Sequence, residues 1–124
     1  MSKFDIYNLN DLEGITEHGM EFRVCQRLGH FDNKVAVEYI ILKDNSAVKT
    51  HHHEESSTLI LVLTGAGYLT DGDMKRYPLR AGTIAYIPAK MRHGVLTEDT
   101  PLYFIAIENP PIENLLTGEV DVVE

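Results

Sequence analysis

The chain consists of short strand-like segments separated by turn-forming residues, and this pattern limits the fold more than any other feature. Apolar and polar residues alternate over residues 20–26 and 35–42, which predicts two half-buried strands. The branched run at residues 59–63 predicts a strand buried on both faces, closed by a tight turn at residues 64–67. Further strands are expected at residues 4–7, 51–53, 68–70, 74–79, 83–87, 93–97 and 102–107. Roughly nine or ten short strands predict an all-β sandwich or barrel, and a jelly-roll barrel suits this length.

Length and charge narrow the class of protein. A chain of 124 residues is expected to be one domain spanning residues 1–124, with a barrel core at roughly residues 20–110 and terminal extensions packed outside it. The formal net charge of −8 disfavours a nucleic-acid partner. No apolar run is long enough for a membrane span, and residues 1–9 lack a signal-peptide pattern. The single cysteine, Cys25, cannot form an internal disulfide, which fits a reducing compartment. A cytoplasmic protein is therefore expected.

The triplet His51-His52-His53 is the most chemically specific stretch. Side chains alternate between the faces of an extended strand, so His51 and His53 are expected on one face and His52 on the other. Two imidazoles make half of a metal site, and His93, which opens a later short strand, is the natural third ligand. The predicted cofactor is a divalent transition metal: iron, zinc, nickel, manganese or copper.

Two spacings around these histidines are specific. The first reads Asn45, five residues, His51-x-His53, four residues, Thr58, six residues and Gly65. The second reads Gly82, five residues, Pro88-x-Lys90, two residues, His93, three residues and Thr97. Together they resemble the two motifs of the cupin superfamily, in which Gly stands at positions 45 and 90, Glu at position 58 and Asn at position 97.

The resemblance implies a double-stranded β-helix barrel with a metal centre. In cupins the Glu of the first motif commonly completes the metal site, and Thr58 is a poor ligand for a divalent ion. The resemblance therefore implies a three-histidine site formed by His51, His53 and His93. Glu54 or Glu55 is an alternative fourth ligand, although both follow His53 too closely to occupy the family's position.

Three functions stay open at this point. Three-histidine cupins similar to this pattern include thiol and diketone-cleaving dioxygenases, so the first hypothesis is a mononuclear dioxygenase acting on a small oxygen- or sulfur-bearing substrate. The second is a sugar or uronate isomerase or lyase, and the third is a non-catalytic ligand-binding protein. The candidate substrate-binding residues are Thr58, Arg23, Gln26, Tyr39 and Tyr86.

Two expectations concern the surface. Leu59, Leu61 and Leu63 alternate with inward-facing residues, so a second sheet or a partner in a homodimer is expected to cover them. The acidic tail at residues 119–124 is expected to be a solvated end.

Overall fold

The structure is a computed structural model that describes residues 4–17, 20–24, 30–114 and 116–124. Within these residues, no helix is both long enough and apolar enough to cross a membrane. A short 3₁₀ turn spans Leu9–Asp11, and a four-residue turn with positive φ at three residues spans His30–Asn33. The strands are β1 Ile15–Glu17, β2 Met20–Val24, β3 Ala36–Leu42, β4 Ala47–His51, β5 Ser57–Asp71, β6 Arg76–Arg80, β7 Ile84–Ile87, β8 His93–Leu96 and β9 Leu102–Asn109.

The strands form one curled antiparallel sheet in the order β1-β2-β3-β9-β5-β8-β4, and β6 and β7 also pair with β5. The N-terminal half of β5 pairs with β7 and β9, whereas its C-terminal half pairs with β6 and β8. One strand therefore belongs to both walls of the barrel. The all-β prediction is confirmed.

The predicted turn at residues 64–67 is wrong. β5 is a single strand of 15 residues, and residues 64–67 lie in its middle. The pairing of β5 with β9 shifts register between Val62 and Thr64, which marks a β-bulge. Gly65 has a φ of +88°, and a Cβ atom there would lie 1.9 Å from the carbonyl oxygen of Pro101. The glycine thus permits a bulge and a close backbone approach rather than a chain reversal.

The core lies between the two walls and is lined by alternate residues of the strands. Its buried members are Ile40, Leu42, Ile60, Val62, Leu79, Ile87, Val95, Leu102, Phe104 and Ala106. Burial of β5 on both faces was predicted and is wrong, since Leu59 and Leu63 are 36% and 42% exposed on the other face. Within the described part of the chain, nothing packs over them as a further layer.

The predicted strand at residues 4–7 is also wrong. These residues have no regular structure, and Phe4 and Ile6 are 74% and 84% exposed. A strand needs a neighbour to pair with its backbone, and this segment pairs with none of the described strands.

Candidate metal centre

Two stretches of the chain, residues 51–53 and the start of β8, bring His51, His53 and His93 together. His51 ends β4, His53 lies in the connection to β5, and His93 begins β8, where it is the direct cross-strand partner of His51. The ring centroids lie 4.4 Å apart for His51 and His93, 4.9 Å for His51 and His53, and 5.3 Å for His53 and His93. One ring nitrogen of each lies within 4.8 Å of the others. The arrangement is therefore close enough for one ion to contact all three.

Backbone carbonyls fix the orientation of each ring. The Nδ1 atoms of the three histidines hydrogen-bond to carbonyl oxygens: His51 to Lys49 at 2.6 Å, His53 to Asp121 at 2.6 Å and His93 to Met91 at 2.9 Å. A carbonyl oxygen only accepts, so each Nδ1 carries the proton. The lone pair of each neutral ring is then on Nε2, which is the state in which histidine binds a metal.

Burial keeps two of the rings neutral. It lowers the pKa of His93 to about 4, although the Met91 carbonyl acts in the opposite direction. Burial also lowers the pKa of His53, against the raising effect of the Asp121 carbonyl. A proton therefore does not compete with a metal for these nitrogens near neutral pH.

The C-terminal segment holds the connection that carries His53. Besides its carbonyl contact with the His53 ring, Asp121 accepts hydrogen bonds through its carboxylate from the backbone N–H groups of residues 54–56, at 2.7, 2.9 and 3.0 Å. His52 and Val123 form a β-bridge beside it. Residues 119–124 are mostly exposed, as predicted for a solvated end, but the tail is not free, because the Asp121 carboxylate accepts three amides and anchors it to the connection that carries His53.

The two motif positions where glycine is replaced have left-handed backbones. Asn45 has a φ of +50° and Lys90 a φ of +71°. The N–H of Lys90 donates to the carbonyl of His53 at 2.6 Å, so the strained residue also supports a ligand. Asn tolerates this conformation better than Lys does.

Glu54 and Glu55 stay outside the cluster. Among the described residues, only the three histidines form a group with metal-binding geometry. His52 Nε2 donates to Glu54 Oε1 at 2.7 Å, which keeps this carboxylate on the side of the chain that carries His52. Neither glutamate supplies a fourth ligand in this structure.

The predicted substrate-binding residues separate by face. Thr58 lies on the inner face of β5 and is buried, and its Oγ1 has no hydrogen-bond partner among the described atoms. Tyr86 precedes the buried Ile87 and is 64% exposed on the outer face of β7, and Tyr39 alternates with the buried Ile40. Both tyrosines therefore lie on the face away from the histidines.

Arg23 and Gln26 are the other two predicted substrate-binding residues. The backbone of Arg23 lies in β2 opposite Tyr39, but its side chain lies outside the described residues, as does all of Gln26. Their role in substrate binding stays a prediction.

Glu108 is a buried titratable residue that the sequence analysis did not single out. It is 4% exposed on the inner face of β9, directly across from Thr58. Burial raises the pKa of Glu108 to about 9, and the neighbouring carboxyl of Glu38 adds to the shift. The sequence pattern could have identified it. Leu102, Phe104 and Ala106 alternate on the inner face of the strand, and the same alternation places residue 108 on that face, but the predicted strand ended at residue 107.

Comparison with known proteins agrees with this architecture. Residues 38–108 match the sequence profile of the cupin domain. Comparison with the curated proteins gave no match. Among solved structures, the polyketide cyclase RemF from Streptomyces resistomycificus aligns with a TM-score of 0.76 and 18% identity, covering 87% of this chain and 80% of RemF.

Two further structures share the fold. A predicted oxalate decarboxylase from Thermotoga maritima aligns with a TM-score of 0.74 and 21% identity, covering 86% of this chain and 99% of the other. Streptomyces Pac13 with uridine aligns with a TM-score of 0.69 and 16% identity, covering 85% of this chain and 81% of Pac13. At these identities the likeness concerns the double-stranded β-helix fold alone. The profile match spans more than half of the chain, and with the barrel and its histidine cluster it makes this protein a member of the cupin family.

Proposed function

We propose that this cupin is a metal-dependent isomerase or lyase that acts on a small oxygen-bearing molecule. The observation that supports it best is the set of three imidazoles, each oriented by a carbonyl at Nδ1, on His51, His53 and His93. They would hold one divalent ion of iron, zinc, nickel, manganese or copper through Nε2. When bound, such an ion acts as a Lewis acid on a carbonyl or hydroxyl oxygen.

The chain's own residues supply the rest of the site. The carbonyls of Lys49, Met91 and Asp121 hold the rings in place before any ion arrives, so little reorganisation is needed on binding. Thr58 offers a buried hydroxyl that has no hydrogen-bond partner in the described part of the chain and would be available to a polar group of the substrate. No anionic ligand is contributed by Thr58, so a bound ion keeps more of its positive charge and favours an anionic substrate.

The reaction class rests on the neighbours in the fold. RemF is a polyketide cyclase, and Pac13 is described as a nucleoside dehydratase. Loss of water from a substrate moves protons and consumes no dioxygen. These activities favour an isomerase or lyase over the dioxygenase that the three-histidine pattern suggested, and the dioxygenase is the second candidate.

Metal analysis of untagged protein tests the site. We expect close to one ion per chain in the wild type and a large loss in His51→Ala and His93→Ala. His52→Ala is the matched control, because it removes an adjacent imidazole that pairs with Glu54 and lies outside the cluster. Equal metal content in all four proteins would refute the metal site.

Turnover under anaerobic conditions separates the two reaction classes. Thiols, diketones and uronates are supplied to the metal-loaded protein with and without dioxygen. Conversion that is unaffected by removal of dioxygen supports the isomerase or lyase, whereas conversion that requires oxygen uptake supports the dioxygenase.

We also propose that a second copy of the chain covers the outer face of β5 and β7. Leu59 is paired with Tyr86 and Leu61 with Ile84, so their side chains form a continuous apolar surface, and Ile84 is 67% exposed. Light scattering should report a dimer for the wild type and a monomer for Ile84→Glu. Leu116→Glu is the control, since Leu116 is 81% exposed outside this face and its change should leave the dimer intact.

A further inference from the structure

Two carboxyl groups face the interior of the barrel from adjacent strands. The register of β3 and β9 pairs Ala36 with Glu108 and Glu38 with Ala106, so Glu38 and Glu108 are diagonal neighbours on one face. That face is the inner one, because it also carries the buried Ala36 and Ala106. The side chains of Glu38 and Glu108 hydrogen-bond to each other.

The pair lies at the same end of the barrel as the histidines. Glu108 is near the end of β9 and Glu38 near the beginning of β3, at the end of the wall where β5 begins and β7 ends. His53 lies in the connection that enters β5. Farther along the same face, toward the other end, the residues are apolar, as Ile40 and Phe104 are. Glu38, Glu108 and Thr58 therefore form a polar part of the inner wall at the end of the barrel where the connection carrying His53 enters β5.

Two unpartnered polar atoms mark this wall. Glu108 Oε1 and Thr58 Oγ1 are both buried and have no hydrogen-bond partner among the described atoms, and their residues are direct cross-strand partners. Buried polar atoms are almost always paired, by protein, water or ligand. Two such atoms side by side on the inner face indicate a position for a polar ligand group.

The surroundings of Glu108 keep one proton on the pair. Across from it stand Ala36 on β3 and Thr58 on β5, neither of which titrates, and among the described residues the charged group that acts on it is Glu38. The Ile112 N–H donates to the Glu108 carboxylate and partly opposes the effect of burial. Two carboxyls that hydrogen-bond to each other, one of them buried, do not both ionise, so the pair holds one proton at neutral pH.

We propose that Glu38 and Glu108 are the catalytic acid–base pair of this cupin, with Thr58 binding the same substrate group, and this rests on the proposed isomerase or lyase function. In an elimination, the Glu38 carboxylate takes a proton from the carbon next to a substrate carbonyl. The neutral Glu108 carboxyl gives its proton to the departing hydroxyl. The C–H and C–O bonds break, a C=C bond forms, water leaves, and the pair still holds one proton.

Infrared spectroscopy and unfolding of the metal-free protein test the shared proton without any turnover. At pH 7 the wild type should show the carbonyl band of a protonated carboxylic acid, and Glu108→Gln should lack it. Because the folded pKa of about 9 exceeds the ordinary 4.5, the folded protein holds an extra proton between these values. Its Tm should therefore fall as pH rises through that window, and Glu108→Gln should flatten this fall.

The matched control is Glu98→Gln, which changes an exposed glutamate paired with Arg76. It should keep both the infrared band and the fall in Tm. Persistence of the band in Glu108→Gln, or an unchanged pH dependence, would overturn the acid pair whatever the metal content.

Deuterium uptake from D₂O tests the chemistry, with galacturonate and dihydroxyacetone as the probes and NMR as the readout. Glu38→Gln should slow uptake at the carbon next to the carbonyl by at least about 100-fold at unchanged metal content, and Glu98→Gln should not. Equal rates in Glu38→Gln and wild type would overturn the pair alone. If wild-type protein that has bound metal exchanges deuterium into neither probe, both proposals are contradicted. If the wild-type protein binds no metal, the proposed function is refuted independently of the acid pair.

Discussion

Replacing Asp121 by Ala should weaken both the fold and the metal site. The carboxylate accepts three backbone N–H groups, and among their residues Ser56 is 1% exposed while Glu54 and Glu55 are exposed. Water replaces the carboxylate at the two exposed amides, so each should cost about 0.5 kcal/mol. The buried amide of Ser56 loses its partner, which costs about 1–3 kcal/mol. We expect the free energy of unfolding to fall by about 2–4 kcal/mol in total.

The metal affinity of Asp121→Ala should also be lower than that of the wild type. The Asp121 carbonyl orients the His53 ring, and an unanchored tail holds that carbonyl less well. Loss of such an outer contact typically lowers metal affinity about 10–100-fold. The assays are urea unfolding of the metal-free protein and zinc titration against a competing chelator.

Glu124→Ala is the control for this prediction. Glu124 belongs to the same tail and its side chain carries the same charge, but that side chain is 69% exposed and forms a 4.0 Å ion pair with the exposed Lys49. If Asp121→Ala unfolds at the same urea concentration as Glu124→Ala and binds zinc equally well, the anchoring role of the tail is refuted.

The effect of Asp121 also depends on pH. Burial acts to raise the pKa of Asp121, but the three N–H donors outweigh it and the pKa lies below its ordinary 3.8. Its stabilisation is therefore complete above the ordinary value and is lost as pH falls through the lower, folded value. The difference in stability between wild type and Asp121→Ala should be constant above about pH 5 and shrink in more acidic solution.

Three other changes test individual features. Lys90→Gly relieves a non-glycine residue at φ +71° and should raise stability by about 0.5–1 kcal/mol in urea unfolding, whereas Lys90→Ala keeps the strain and should bring no gain. Gly65→Ala should lower the free energy of unfolding by at least about 3 kcal/mol, because the new Cβ would lie 1.9 Å from the Pro101 carbonyl oxygen. Gly82→Ala is its control: the residue has a φ of +86° but open space around it, so the loss should be about 1 kcal/mol in the same assay. Zinc at about 100 times its dissociation constant should stabilise the wild type by about 2.7 kcal/mol in thermal unfolding and should hardly stabilise His93→Ala. Equal stabilisation of the two proteins would show that zinc does not bind at the three histidines.

Local sequence patterns were enough to predict most of the strands and three candidate metal-binding histidines. Strand formation follows from local alternation of apolar and polar residues, which is visible in a window of a few residues. The spacing around His51, His53 and His93 singled out three residues that the structure brings together. The spacing also matched the cupin motifs, and the profile match shows the family.

The surroundings of these histidines depend on how distant parts of the chain pack together. Tyr39 and Tyr86 turned outward and Glu108 inward, because the face that a strand residue occupies depends on how the strand sits in the barrel. β5 continued past residues 64–67 because strands distant in sequence pair with both of its halves.

Asp121 shows the same limit most clearly. It lies 68 residues from His53 in sequence, yet its carbonyl orients that ring and its carboxylate holds the neighbouring amides. Nothing in the local pattern of an acidic tail specifies such a contact. Local periodicity encodes which residues form strands, whereas the contacts between distant segments arise only when the whole chain packs.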